Sequence, residues 1–419
     1  MAARPLVEQP AGGEPPLRPS PRSLRGLDWF IFFVADVQTG FGPFVSVYLT
    51  AQKWTQVDIG LVLSAAGFVS LIGQMPGGAL VDAARSERVV GGIAIAAICF
   101  SALGYAAMPV FPMVLSAAVL HALASDVLGP AIAAISLGLV GHALISERLG
   151  RNARFASIGN ALAAAAMGAT GYLFSTRAVF IVTVVLLLPA LWTLRLIADN
   201  EIDPERAHGA TPRRRPGKPP TSKPGDLMRN RPLLIFAGCL LLFHLANAAM
   251  LPLMGSALTM RSGRWAEILI AASIVVPQLV VAALSPWIGR RAQIWGRRPL
   301  LLVGFAALPL RGVLFASLTN PQLVVAVQLL DGVTAAVLSV MVPLIVADLT
   351  RGTGHFNLGQ GIIGTFIGIG ASLSTTFAGY ISDHFGNPSA FAGLAAIAFA
   401  GFALAWFSMP ETREAAQAE

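Results

Sequence analysis

The sequence predicts an all-α integral membrane protein of about twelve transmembrane helices in two pseudo-symmetric six-helix bundles. Three observations point there. Long apolar runs recur throughout, a Pro- and Arg-rich stretch divides them near the middle, and Lys and Arg collect on alternate connections. Apolar residues make up 55% of the chain and charged residues 12%, with a mean hydropathy of +0.70. A soluble domain carries about twice that charged fraction.

A span needs about 20 mostly apolar residues. Runs of that kind lie at 28–50, 58–81, 89–108, 112–138, 155–175 and 178–198, then at 232–255, 266–288, 299–318, 322–347, 358–382 and 390–409. The first follows a Pro- and Arg-rich tail, 1–27. It is longer than a signal-peptide core and has no evident cleavage site, so it reads as a span. Connections are short except for 199–231, whose Pro and Arg content predicts a solvated, partly disordered linker. The two bundles are then 28–198 and 232–409, with a second tail at 410–419.

Cation placement sets the orientation. Lys53, Arg177, Arg261 and Arg264 fall on one side and Arg311 lies within a span, which leaves 24 of the 29 Lys and Arg on the side of the linker and both tails. That asymmetry predicts cytoplasmic termini and a plasma-membrane location, such as a bacterial inner membrane. The net charge of +8 does not predict nucleic-acid binding, because the cations sit in short segments between spans rather than on one basic face. Cys99 and Cys239 lie inside apolar runs, without metal-ligand spacing.

The halves repeat one another. Gln38 stands five residues before Pro43 in the first span, and Asn247 five before Pro252 in the seventh. Asp126 in the fourth span corresponds to Asp331 in the tenth. The segment Phe155-Ala156-Ser157-Ile158-Gly159-Asn160 before the fifth is echoed by Phe356-Asn357-Leu358-Gly359-Gln360 before the eleventh. Between spans 2 and 3 stands Gly78-Ala79-Leu80-Val81-Asp82, followed by Arg85 and Arg88. After span 8 comes Gly289-Arg290-Arg291-Ala292-Gln293-Ile294-Trp295-Gly296-Arg297-Arg298. These loops resemble the signature of the major facilitator superfamily. The second copy carries Gln293 where the family has Asp, and the first lacks the Gly-Arg-Arg ending.

The resemblance implies the superfamily fold and a secondary transporter that moves a small organic solute by alternating access of two rocking bundles. It also implies a cytoplasmic gate formed by Asp82, Arg85, Arg88, Arg148, Gly296, Arg297 and Arg298. In that gate Asp82 would meet the start of span 11 near Gly359 and Gln360, with Arg148 as a candidate partner. In this fold helices 1, 4, 7 and 10 line the central cavity.

Ionisable side chains at bilayer depth are costly and normally face a bundle interior or wet cavity. Here they are Asp36, His121, Asp126, His244, Arg311 and Asp331, and five of these lie on the implied cavity helices. Rise per residue places Asp36 about 13 Å and His244 about 18 Å above the inner boundary. Asp36, Asp126 and Asp331 are the candidates for carrying coupling protons, Asp36 first because its stretch holds no cation. Asp331 has a static pair with Arg311 as its alternative. Gln38 and Asn247 are the favoured solute contacts, ahead of Asn160, Gln278, Gln328 and Gln360. The glycines of Gly73-Gln74-Met75-Pro76-Gly77 read as packing.

No Gly-x-x-x-x-Gly-Lys-Ser/Thr loop, His-Glu-x-x-His or Gly-x-Ser-x-Gly element is present, so neither an ATP-driven pump nor an enzyme is expected. No cofactor or metal is expected. The partners are the bilayer, a small-molecule solute and protons or another coupling ion, and the protein is expected to be a monomer. Three intramembrane carboxylates against one Arg lean towards a cationic or neutral solute, with efflux favoured. The alternative is a transporter-like receptor that binds solute and signals without moving it.

Overall fold

Polar caps and breaks divide one nearly continuous apolar sequence into helices. The structure, a computed structural model, describes residues 19–39, 42–210, 223–262 and 266–413. These form fifteen α-helices, with no strand among the described residues. Thr55 starts α3 (Gln56–Ala83) by accepting the Asp58 amide at 3.1 Å, and Ser86 starts α4 (Glu87–Ala107) by accepting that of Val89. Such caps satisfy amides that the first turn leaves without partners. Asn230 and Asn320 do the same for α9 (Arg231–Asn247) and α13 (Pro321–Leu349).

Among the described residues, ten helical stretches are long and apolar enough to cross a membrane. One of them, Phe111–Gly171, would extend about 90 Å if straight, three times the hydrocarbon thickness. It belongs to α5 (Phe111–Leu173), which breaks at Gly141, where φ is +66° and ψ 176°. A side chain would strain that backbone, and glycine does not. α5 therefore supplies two spans. The first span holds α1 (Pro21–Thr39) and α2 (Gly42–Ala51), on either side of two residues outside the described ones, and with it the total is the expected twelve. Its counterpart in the second half comprises α9 and α10 (Met250–Ser262). The sixth span joins α6 (Thr176–Val185) to α7 (Leu187–Arg195). The others are α11 (Ala266–Trp295), α12 (Arg297–Ser317), α14 (Phe356–Phe385) and α15 (Asn387–Ser408).

Two apolar cores result. One packs Phe30, Tyr48, Ile95 and Phe180 of the first half, and the other packs Phe236, Phe243, Phe305 and Phe391 of the second. Large apolar side chains such as Phe68, Phe100, Phe399 and Phe407 point outward, as a bilayer-facing wall requires.

The linker departs from expectation. Residues 199–210 are folded against the bundles, with Ile202 and Ala207 buried and Asn200 and Glu205 exposed, in a short helix-bearing strap that includes α8 (Pro204–Ala207). The strap binds both halves. Its Asp203 amide donates to the Gly138 carbonyl of α5, while its His208 and Gly209 carbonyls accept the amides of Phe356 and Gly352 in the second half. The bundle surface that carries this strap is the linker face. Residues 139–154, expected as a connection, are helical apart from the Gly141 break.

Candidate functional site

A cavity of about 430 Å³ lies between the two halves. The first half contributes Val34 and Ala35 of α1, Gln74 of α3, and Pro130, Asn152 and Asn160 of α5. The second half contributes Ser339 and Pro343 of α13 and Gln360 and Gly364 of α14. Among the described residues the lining is uncharged: apolar side chains, four carboxamides (Gln74, Asn152, Asn160, Gln360) and one serine hydroxyl. Its volume falls within the usual range for small-molecule sites.

Asp126 lies behind this wall. It is 4% exposed, and its Oδ1 accepts from the Ser70 hydroxyl at 2.6 Å and from Gln74 Nε2 at 2.9 Å. No ion pair to it occurs among the described residues. Asn152 ties the wall to a second buried network. Its Nδ2 donates to Ser136 Oγ at 2.8 Å and its Oδ1 accepts from Arg148 Nε at 2.6 Å. Arg148 and Arg151 both pair with Asp28, whose side chain is 2% exposed.

The cavity is sealed on the linker face. Asp82 Oδ1 accepts from the Asn357 amide at 3.1 Å and from its Nδ2 at 2.8 Å, and Oδ2 accepts from the Leu358 amide at 2.8 Å. A carboxylate thus meets the free amides and positive dipole end of α14. The Asn357 side chain also donates to the Ala207 carbonyl of the strap. His208 Nε2 lies 3.0 Å from Glu87 Oε1, and this contact raises the imidazole pKa above its ordinary 6.5, helped by the more distant charge of Asp82. Deeper down, Ser157 of α5 donates to the Gln278 carbonyl of α11 at 3.0 Å and to its side-chain oxygen. On the opposite face, α2 packs on α3 and α6, and α10 packs on α9, α11, α13 and α15, each within its own half.

The sequence profile of the Major Facilitator Superfamily matches residues 29–276 and 244–419. The chain belongs to the major facilitator superfamily. Two uncharacterized MFS-type transporters of Mycobacterium tuberculosis, from strains CDC 1551 and H37Rv, are each 41% identical over 399 residues, covering 94% of both chains. The crystal structure of the human organic anion transporter MFSD10 superposes with a TM-score of 0.65 at 16% identity, over 94% of this chain and 100% of that one. The protein is thus a multi-pass membrane transporter whose partners are the lipid bilayer and a small solute.

Within the superfamily fold, the expected residues fall into separate groups. Asp82 meets Asn357 and Leu358 rather than Gly359 and Gln360. Arg148 does not partner it, since the nearer carboxylate of Asp28 takes that guanidinium. Arg88 pairs with Asp199 and donates to the Ile197 carbonyl, which fixes the start of the strap, while Arg85 is exposed. In the second copy of the superfamily loop, Gln293 donates to the Ala143 carbonyl of α5 at 2.6 Å. An amide thus reaches the first half where the family carboxylate would stand. Arg297 pairs with Asp348 at 2.9 Å, Arg298 donates to the Trp406 carbonyl, and Glu411 caps the first amides of α12 beside Gly296.

Arg311 pairs with Asp331 and donates to Asn247 Oδ1 at 2.7 Å, a cluster inside the second half and away from the cavity lining. His244 lies half-buried beside Phe243, and His121 is 3.5 Å from the Ser125 hydroxyl on its own helix. Gln328 donates to the Ser273 carbonyl. The cavity walls come from spans 1, 2, 4, 5, 10 and 11, so span 7 lines less of it than expected. The side chains of Asp36 and Gln38 lie outside the described residues.

Sequence reasoning missed Gln74 and Asn152. The one local signal for Gln74 is an amide inside a glycine-rich turn of a span, where a purely packing role calls for small apolar residues.

Proposed function

We propose that this chain is a proton-coupled secondary transporter that exports a small, uncharged organic solute across the plasma membrane by alternating access, with the linker face cytoplasmic. One observation carries the reading: a cavity walled by both halves, uncharged in its lining, backed by the buried carboxyl of Asp126 and sealed on the linker face.

An ionic solute in such a cavity would lose its hydration without gaining a counter-charge, whereas a neutral one needs only the carboxamides. For that reason the organic-anion selectivity in the name of MFSD10 is not carried over. Asp126 takes up a proton when the cavity opens to one side and releases it on the other. Asp36, which follows the cavity-lining Ala35, is a second candidate proton carrier. The cation asymmetry of the loops supports the orientation.

Proteoliposome flux tests the reading. Candidate solutes are first selected by thermal shift, since a ligand that binds the folded state raises its stability. An imposed pH gradient should then drive accumulation of a neutral solute. Asp126→Asn, which mimics the protonated carboxyl, should abolish gradient-driven accumulation while solute exchange continues. Wild-type accumulation in Asp126→Asn would overturn Asp126 as the proton site.

A further inference from the structure

We propose that Gln74 is the positioning residue that transmits the protonation state of Asp126 to the seam between α3 and α14. This inference rests on Asp126 being the proton site, as proposed above.

The turn Gly73-Gln74-Met75-Pro76-Gly77 touches both halves at once. On one side it is bare. A Cβ at Gly73 would stand 2.4 Å from Asp126 Oδ2, and one at Gly77 3.0 Å from the Asp126 carbonyl, so the carboxyl group enters against the α3 backbone. On the other side α3 abuts α14 directly. A Cβ at Gly361 would meet the Gln74 carbonyl at 2.4 Å, and one at Gly364 would meet Gln74 Oε1 at 2.2 Å. One carboxamide therefore donates to Asp126 with its nitrogen and faces the Cα hydrogens of Gly364 with its oxygen.

That arrangement depends on the charge of Asp126. An ionised carboxylate only accepts hydrogen bonds, so it holds the nitrogen end of Gln74 towards α5 and leaves the oxygen end on α14. There the oxygen makes a weak Cα–H contact. Once a proton from water in the cavity reaches the carboxylate, Asp126 becomes a donor. Its Oδ2, buried without a hydrogen-bond partner among the described residues, then needs an acceptor, and the carboxamide oxygen of Gln74 can accept that hydrogen bond by reversing the group. Its NH₂ end then points at the Gly364 Cα hydrogens, donor against donor, and the α3–α14 seam loosens.

α3 presents no other titratable side chain at this contact, only Ser70, Gly73, Gln74 and Gly77. On α5 the nearest titratable group is His121, about one and a half turns away beside Ser125. Across the seam, Gln360 of α14 is neutral, and its Nε2 is buried without a hydrogen-bond partner among the described residues.

The test follows two signals in the purified protein in lipid. Spin labels at Ala83, the exposed end of α3, and at Met228, exposed in the turn that leads into α9, report seam opening by pulsed distance measurement. The infrared carboxyl band lost in Asp126→Asn reports its protonation. In the wild type, acidification should change the open-to-closed ratio by about fivefold or more, the lower end of typical coupling between sites. In Gln74→Met the carboxyl band should still titrate while the ratio stays constant with pH.

Gln74→Asn keeps the carboxamide but is too short to reach both partners. It should lose the response in the same way, and it serves if the Met variant fails to fold. A wild-type distance response in either folded variant, with the band still titrating, overturns the role of Gln74 and leaves the proton site intact. A wild-type response in Asp126→Asn overturns the proton site itself.

Discussion

Asp82 accepts the backbone amide of Leu358 at 2.8 Å, 276 residues further along the chain, and so joins the end of α3 in one half to the start of α14 in the other. Asp82→Asn keeps one acceptor oxygen but removes the charge facing the helix dipole. That loss is worth roughly 0.3–2 kcal/mol, or about two- to thirtyfold in the closed-to-open ratio. A cysteine at Ser339, on the cavity wall, should then react faster by that factor with an impermeant thiol reagent applied from the linker face. Cys99 and Cys239 are buried and give little background. An unchanged rate would show that Asp82 does not hold the seal.

The strap carries a pH dependence of known sign. The pKa of His208 is raised in the folded protein by its Glu87 contact. Its stabilising contribution is therefore complete below the ordinary value of 6.5 and is lost as pH rises through the higher folded value. Hydrogen exchange at Phe356 and Gly352, whose amides bond the strap, should accelerate in that alkaline window beyond the intrinsic base effect. In His208→Gln the extra acceleration should vanish. If His208→Gln kept it, the imidazole would not be the latch.

Arg148 and Arg151 share Asp28 but in different surroundings, with 3% and 55% of their side chains exposed. Asp28→Asn strands a buried guanidinium and should cost about 3–5 kcal/mol. Arg151→Gln removes a screened contact and should cost about 1 kcal/mol or less. Thermal unfolding in detergent measures both, and equal losses would mean that burial does not govern this cluster.

In the second half, Arg311 is 1% exposed and pairs with Asp331. Asp331→Asn should destabilise more, since it leaves the buried Arg311 guanidinium unpaired, than Arg311→Gln, which leaves a partly exposed carboxylate. Arg311→Gln with Asp331→Asn should recover most of the loss. Strictly additive losses would dismiss the pair and make Asp331 a candidate proton carrier.

The spans were legible because lipid permits only long apolar helices, and duplication left matching marks such as Gln38–Pro43 and Asn247–Pro252. The Arg311–Asp331 pairing was legible too, because few charges lie at that depth and fewer have a complement. Contacts between the halves were not. Nothing local to Arg148 says that Asp28 is nearer than Asp82, and the polar composition of 199–210 conceals a strap that buries Ile202 and Ala207. Gln74 was hidden for a related reason. Its glycine neighbours read as packing, and only the fold sets Asp126 on one side and Gly364 on the other.

Reactivity of the cysteine in Ser339→Cys from each side of an oriented membrane, in one set of vesicles, decides whether the two halves alternate. Alternation predicts labelling from both sides, with any condition that speeds one rate slowing the other. Acidification should favour the linker side and alkaline pH the opposite side. Labelling from the side opposite the linker alone, at every pH and with every solute, would contradict it, as would simultaneous increases from both sides.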